Sequence, residues 1–216
     1  MGSLERQLLR ALNSGSGERK VHAFLKAHPY LISQAFNLAW NFWRCITEFR
    51  MGTDHRCDFL LISASSCSWN TIFIELESPK SRLYLKDGTP AKSLRIAERQ
   101  LKDWRSWVRI NQDTLRRDLS KILRAERAGA QCSPVDSHTK AYTEILDCHT
   151  VIHEYYHVVI GRRASLSPDE QRRRVMESQF RGGSDIATYD RLLDCARRSD
   201  EAQHQIRQRE KAPSAY

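Results

Sequence analysis

Residues 57–77, with the sequence CDFLLISASSCSWNTIFIELE, decide the fold of this chain. Two runs rich in branched and aromatic residues, 57–63 and 71–77, flank a polar segment, which predicts two paired β-strands joined by a loop. The second run begins apolar and ends with Glu75 and Glu77, so these two acidic side chains are expected at the end of a strand.

Further strands and helices are predicted on both sides of this pair. The aromatic residues at 40–49, followed by a polar turn at 51–54, predict a preceding strand. The remaining predicted helices are 18–28, 91–111, 113–128, 168–180 and one that begins at Tyr189, and the remaining predicted strands are 155–161 and 185–187. Strands that first cluster and then alternate with helices predict an α/β domain with a mixed central sheet flanked by helices.

The composition is typical of one domain with short extensions. A length of 216 residues, of which 40% are hydrophobic, suffices for a single core. We expect the domain at residues 18–196. It follows a flexible lead at 1–17 that ends in Asn13-Ser-Gly-Ser-Gly17, and it precedes a frayed polar tail at 197–216.

The charge balance and the apolar segments narrow the class of partner. The chain has 35 Lys and Arg against 26 Asp and Glu, a formal net charge of +9, which favours an anionic partner such as DNA. No apolar run approaches the roughly 20 residues of a spanning helix, and no signal sequence is recognisable, so we expect a cytoplasmic protein without a membrane partner. The six cysteines include no Cys-x-x-Cys pair and are interpreted as thiols.

Three acidic side chains form the strongest candidate for chemistry. Asp58 opens one predicted strand, and Glu75 and Glu77, two positions apart, face the same side at the end of the next. If the strands pair, the three carboxylates repel one another unless a cation lies among them, and oxygen ligands suit Mg²⁺ or Mn²⁺. Such an ion activates water for phosphodiester cleavage. The alternative is that Glu75 and Glu77 are solvated strand-end residues and that Asp58 caps a turn.

Several short motifs surround these acids in a fixed order. They are Phe24-Leu-Lys-Ala-His28-Pro29, Asp58-Phe-Leu-Leu, Phe73-Ile-Glu75-Leu-Glu77-Ser-Pro79, Gly88, Ala97-Glu-Arg-Gln100-Leu-Lys-Asp103-Trp104, Val158-Val-Ile-Gly161-Arg162 and Thr188-Tyr-Asp190-Arg-Leu-Leu193. The series resembles the Shedu family of prokaryotic anti-phage defence proteins over residues 18–193. The resemblance implies a domain similar to the PD-(D/E)xK nucleases, with an αβ core whose acidic residues bind metal.

The same resemblance assigns roles to single residues. It implies that Asp58 and Glu75 are metal ligands and that Gln100 is the helical glutamine of related nucleases. It also makes Glu18 a candidate for the acidic residue of the first helix. From the spacing alone, Gln100 and Trp104 are one helical turn apart and position a nucleotide, or else Gln100 is solvated and Trp104 belongs to the core.

Glu77 departs from the superfamily pattern, which usually has a lysine at this position. The resemblance allows a carboxylate there to act as ligand or base, with Lys80 or Lys102 supplying the positive charge. The first hypothesis is therefore a metal-dependent DNA endonuclease, a hydrolase that acts as an effector of anti-phage defence. The alternative is a catalytically inactive module that binds nucleic acid or a partner protein, and a third is a structural assembly domain. A homo-oligomer is a further expectation.

Clustered arginines and spaced histidines are weaker signals. Arg162, Arg163 and Arg172 to Arg174 are candidates for phosphate contacts along a groove, as are Arg116, Arg117 and Arg124, although they also suit a solvated basic face. His149, His153 and His157 recur every fourth residue but run into a β-rich segment. On a strand such neighbours lie about 13 Å apart, too far for one zinc ion, so structural histidines are expected.

Overall fold

The computed structural model describes residues 2–14, 18–36, 42–65, 68–125, 144–180 and 184–211. They form an α/β fold around a five-stranded mixed sheet with helices on both faces. In spatial order the strands are β1 (Phe42–Met51), β2 (His55–Ser65), β3 (Ser68–Leu76), β4 (Val151–Val159) and β5 (Ser184–Ala187). Strands β1 to β3 pair antiparallel, whereas β4 joins β3 and β5 joins β4 in parallel. The predicted mixed sheet flanked by helices is thus confirmed.

The helices follow the apolar periodicity of the sequence. Within the described ranges they are α1 (Ser3–Asn13), α2 (Glu18–Ala27), α3 (Tyr30–Phe36), α4 (Lys92–Ile110), α5 (Gln112–Ala125), α6 (Pro168–Phe180) and α7 (Asp190–Lys211), and a 3₁₀ turn lies at Arg163–Ser165. No helix among the described residues is long and apolar enough to cross a membrane.

Two apolar clusters, one on each face of the sheet, hold the fold together. On one face, α1 to α3 and α7 cover β2 and β3, as in the cluster that contains buried Leu25, Leu31 and Phe59. On the other face, α4 and α5 cover the alternate residues of the same strands, as in the cluster of Leu60 with Trp104. The alternation of side chains along each strand therefore supplies both faces. Burial of a large apolar side chain contributes about 1.5–3 kcal/mol.

The lead at residues 1–17, expected to be flexible, contains a packed helix instead. Leu4, Leu8 and Leu12 of α1 are buried against the cluster that includes α7. Asp200 of α7 accepts hydrogen bonds from the backbone N–H groups of Leu4 at 3.1 Å and Glu5 at 2.9 Å. These N–H groups have no partner inside the helix, so a carboxylate from α7 stabilises its N-terminus.

Other boundaries also differ from the sequence-based expectation. The tail at 197–216 was expected to fray, but α7 continues as far as Lys211. The segment 63–70, expected to be a loop, belongs mostly to β2 and β3, which extend to Ser65 and from Ser68. Helix α3 was not predicted. The end of the predicted helix at 113–128, beyond residue 125, lies outside the described residues. The domain limits 18–196 remain a prediction.

Candidate functional site

The site begins where β2 and β3 separate. Their antiparallel ladder ends with the pair Phe59 and Ile74. One residue beyond, the Asp58 Oδ2 atom accepts a hydrogen bond of 2.8 Å from the backbone N–H of Leu76. A side-chain oxygen therefore satisfies a donor of β3 at the point where backbone pairing with β2 stops.

A distortion of β1 and β2 accompanies this change. The ladder between these strands passes from the pair Thr47–Phe59 to the pair Phe49–Cys57. Glu48, opposite the break, has a positive φ of 54°, a left-handed conformation that is uncommon outside glycine. Cys57 packs in the same cluster as Leu60, whereas regular alternation would put these residues on opposite faces. The pleat is thus broken at Asp58.

Glu75, near the end of β3, faces helix α4. Gln100 donates a hydrogen bond of 2.9 Å from its Nε2 to Glu75 Oε1. Burial, followed by the negative charge of Asp58, raises the pKa of Glu75 to about 9, and the bond from Gln100 opposes this only in part. Glu75 is therefore protonated at neutral pH when no cation is bound.

Two more carboxyls belong to the same cluster. Burial raises the pKa of Glu77, and the charges of Glu18 and Asp58 raise it further. Burial and then Asp58 likewise raise the pKa of Glu18, the first residue of α2. These interactions bring the predicted Asp58, Glu75 and Glu77 into one electrostatic cluster, and they add Glu18.

Tyr189, which sequence reasoning did not single out, supports this cluster from the core. Its hydroxyl donates a hydrogen bond of 2.7 Å to the backbone carbonyl of Glu77. Burial, reinforced by the charges of all four acids, raises its pKa well above the ordinary value. The tyrosine is therefore a neutral donor that fixes the backbone of Glu77.

His22 on α2 is a second residue that sequence reasoning missed. Its Nε2 lies 3.7 Å from Asp58 Oδ1, and the side chain is 20% exposed. A spacing of four residues from Glu18 on one helix was the available signal, because such residues share a face. A cleft of about 710 Å³ opens here, lined by Glu18, Arg19, His22, Glu48, Arg56 and Asp58.

The acidic side chains are of the type that binds a divalent cation, although their donor atoms are not all close to one another. Among the described residues, a group of three possible ligands has its donor atoms within 4.8 Å of one another. It consists of Asp147, Cys148 and His149, which are exposed and consecutive. Asp58, Glu75 and Glu77 do not approach one another so closely. The raised pKa values and the unpaired His22 Nε2 are what a cation would compensate.

The candidate lysines are exposed, and the candidate tryptophan is buried. Lys80 is exposed in the turn after β3, where its backbone N–H bonds to Ser78 Oγ at 3.2 Å. Lys102 is exposed on α4. The charges that raise the pKa of Glu75 are carboxylates. Trp104 is fully buried in the core, which excludes direct contact with a nucleotide.

The candidate phosphate-binding arginines contact other groups of the chain. Arg162 pairs with Asp190 at 3.2 Å, Arg163 with Asp194 at 2.8 Å and Arg172 with Asp169 at 3.4 Å. Arg173 donates to the Gly88 carbonyl and lies over the Tyr84 ring, and Arg174 donates to the Ile186 carbonyl at 2.7 Å. Arg172, with 75% of its side chain exposed, is the most accessible of the three in ion pairs.

Two arginines of α5 donate to groups of the chain itself, and the candidate histidines lie in or beside β4. Arg116 donates to the carbonyls of Ile145, Asp147 and Thr150. Arg117 bonds within its own helix, to the Asp113 carbonyl and the Thr114 hydroxyl. His153 and His157 lie on β4, and His149 precedes it, so the prediction that they do not line one helix face is confirmed.

Comparison with known proteins agrees with the sequence motifs. A family model described as Shedu protein SduA, C-terminal, matches residues 15–193. A search of curated proteins found no match. Because the family model covers most of the chain, the chain belongs to the Shedu SduA C-terminal family, and this membership suggests a role in anti-phage defence.

Proposed function

We propose that this member of the Shedu family hydrolyses phosphodiester bonds in DNA, using Mg²⁺ or Mn²⁺ held by Asp58, Glu75 and Glu77. The observation that carries the proposal is the cluster of acids at the gap between β2 and β3. Burial raises the pKa values of Asp58, Glu75 and Glu77, and the charge of Asp58 raises those of the two glutamates further. Perturbed carboxyls beside an open cleft are typical of functional sites.

A bound divalent ion supplies polarisation of the phosphate and a lowered pKa for the attacking water. Asp58 offers its Oδ1 to the ion, because Oδ2 already accepts the bond from Leu76. Gln100 orients the Glu75 carboxyl through Oε1 and leaves Oε2 available. Glu77, which is only half buried, is the candidate base for the water.

Cleavage of plasmid and linear DNA with Mg²⁺ or Mn²⁺ tests the proposal. We expect Asp58→Asn and Glu75→Gln to lose at least roughly 100-fold in rate, because each removes a ligand charge. Glu154→Gln is the matched control. Burial also raises the pKa of Glu154, but its carboxyl bonds to Tyr156 and lies outside the cluster. Equal activity of all four proteins would show that the acids do not form the active site.

DNA contact is the second part of the proposal. Arg172 is the most accessible of the ion-paired candidates, so Arg172→Ala should lower the slope of log affinity against log salt by about 0.9. Arg19 and Arg56 line the cleft and offer charge closer to the acids. An affinity that does not depend on salt would exclude phosphate contacts.

One observation favours a second candidate, an inactive module that recognises nucleic acid or a partner protein. The position expected to hold lysine is Glu77, and Lys80 and Lys102 are both exposed. The same assay separates the candidates. Metal binding and DNA binding without cleavage in any tested substrate form would favour the module, whereas metal-dependent cleavage favours the enzyme.

A further inference from the structure

The side chain of His22 has an unusual environment beside the acidic cluster. Its Nε2 is shielded from water and has no hydrogen-bond partner among the described residues. The nearest carboxylate oxygen, Asp58 Oδ1, lies 3.7 Å away, which is too long for a hydrogen bond. An unpaired polar atom of this kind destabilises the fold, so its position calls for a partner that the folded chain does not supply.

The spacing of His22 and Asp58 suits a shared metal ion. Two donor atoms that each lie about 2.1 Å from one ion are at most about 4.2 Å apart. The separation of 3.7 Å lies within this limit. The imidazole ring is tilted against Phe59, with 5.2 Å between the ring centroids, and this contact holds the ring in place.

Glu18, on the same helix as His22, also faces the acidic cluster. Glu18 lies one turn before His22, so the two side chains share a face of the helix. Glu18, His22 and Asp58 line the same cleft, so this face of α2 is turned towards the acidic cluster. The helix therefore presents a carboxyl and a ring nitrogen together to the gap between β2 and β3.

We propose that His22 is a nitrogen ligand of the ion bound at Asp58 and that it makes the site prefer a first-row transition ion to Mg²⁺. The inference rests on the proposed metal site and narrows its choice of ion. Mg²⁺ takes oxygen ligands and keeps several waters, whereas imidazole nitrogen suits transition ions. Among the divalent first-row transition ions, Mn²⁺ generally binds most weakly to a given site. A preference for Mn²⁺ over Mg²⁺ is therefore a demanding test, because the other transition ions should bind more tightly still.

The first measurement is pulsed EPR of Mn²⁺ bound to the full chain, prepared with ¹⁴N-histidine or ¹⁵N-histidine. We expect a directly coordinated histidine nitrogen, recognised by the change of its coupling on isotope substitution. His22→Gln should remove the coupling. His28→Gln should keep it, because His28 stacks on Phe24 and has its Nδ1 at 2.9 Å from the Phe24 carbonyl. The measurement on the unaltered protein does not depend on whether a variant folds.

The second measurement compares the affinities for Mn²⁺ and Mg²⁺ by calorimetry. We expect His22→Gln to weaken Mn²⁺ binding by roughly 10-fold or more and to leave Mg²⁺ binding nearly unchanged. One outcome would overturn the inference and leave the metal site standing. In that outcome Mn²⁺ binding depends on Asp58 but shows no nitrogen coupling, and His22→Gln does not change the ratio of the Mn²⁺ and Mg²⁺ affinities. If neither ion binds, the metal site and the inference both fail.

Discussion

Replacement of Glu75 by glutamine should stabilise the metal-free protein at neutral pH. In the folded chain the pKa of Glu75 is about 9, against an ordinary value of 4.5, because the carboxyl is buried beside Asp58. The unfolded chain ionises this group above pH 4.5, whereas the folded chain keeps it protonated up to about pH 9. The group therefore lowers the free energy of unfolding as pH rises between these values.

The magnitude follows from the separation of the two pKa values. Each pH unit above 4.5 costs about 1.4 kcal/mol, so the carboxyl costs about 3 kcal/mol at pH 7. Glutamine does not ionise, and its carbonyl oxygen can accept the hydrogen bond that Gln100 donates to Glu75. We therefore expect Glu75→Gln to raise the melting temperature by roughly 6–12 °C at pH 7. The difference should vanish near pH 4.5.

Thermal and urea unfolding in EDTA at pH 4.5, 7 and 8.5 measure this effect. Glu48→Gln is a control of opposite sign. The hydrogen bond from Lys26 lowers the pKa of Glu48. Loss of the Glu48 carboxylate should therefore weaken the fold at neutral pH and have less effect in acid. If the difference in stability between Glu75→Gln and the unaltered protein is the same at every pH, the assignment of a buried, protonated Glu75 is wrong.

Three further predictions concern other parts of the chain. Mg²⁺ or Mn²⁺ at about 100 times the dissociation constant should stabilise the protein by about 2.7 kcal/mol in thermal shift, and Glu77→Gln should raise metal-free stability and reduce this response. Burial lowers the pKa of His157 to about 4, so stability should fall as pH drops from 6.5 to 4, and His157→Phe should flatten that slope in urea unfolding. Arg162→Ala should cost about 2 kcal/mol in the same assay because Asp190, 16% exposed, loses its charged partner and retains the bond from the Arg163 backbone N–H. Arg172→Ala should cost little, because its ion pair is exposed.

The sequence predicts what depends on local pattern. Apolar runs and a polar turn are sufficient for β1 and β2, and the period of the apolar residues is sufficient for α4. The association of Asp58 with Glu75 could also be predicted, because two strands joined by a short connection pair antiparallel. The resemblance to a family indicated Gln100 as the helical glutamine of related nucleases, and in the structure Gln100 donates a hydrogen bond to Glu75.

Features that depend on distant parts of the chain could not be predicted in this way. The apolar stripe of α1 is visible in the sequence, but the helix that covers it, α7, lies almost 200 residues later. The arginines at 162 and 163 look available for phosphate, yet Asp190 and Asp194 bind them after the chain has crossed β5. Local sequence shows which side chains carry charge, whereas their partners are set by packing.

Glu75 distinguishes a structural role from a functional one. A structural role requires only an acceptor for the Gln100 N–H group, and glutamine would provide it without the cost of about 3 kcal/mol at pH 7. A cation reverses this balance, because it favours the ionised carboxylate that the empty cluster disfavours. A catalytic role therefore requires two opposite effects of Glu75→Gln, a more stable metal-free protein and weaker metal binding. A variant that is less stable without metal, or that binds metal as well as the unaltered chain, would leave the buried acid without a role in catalysis.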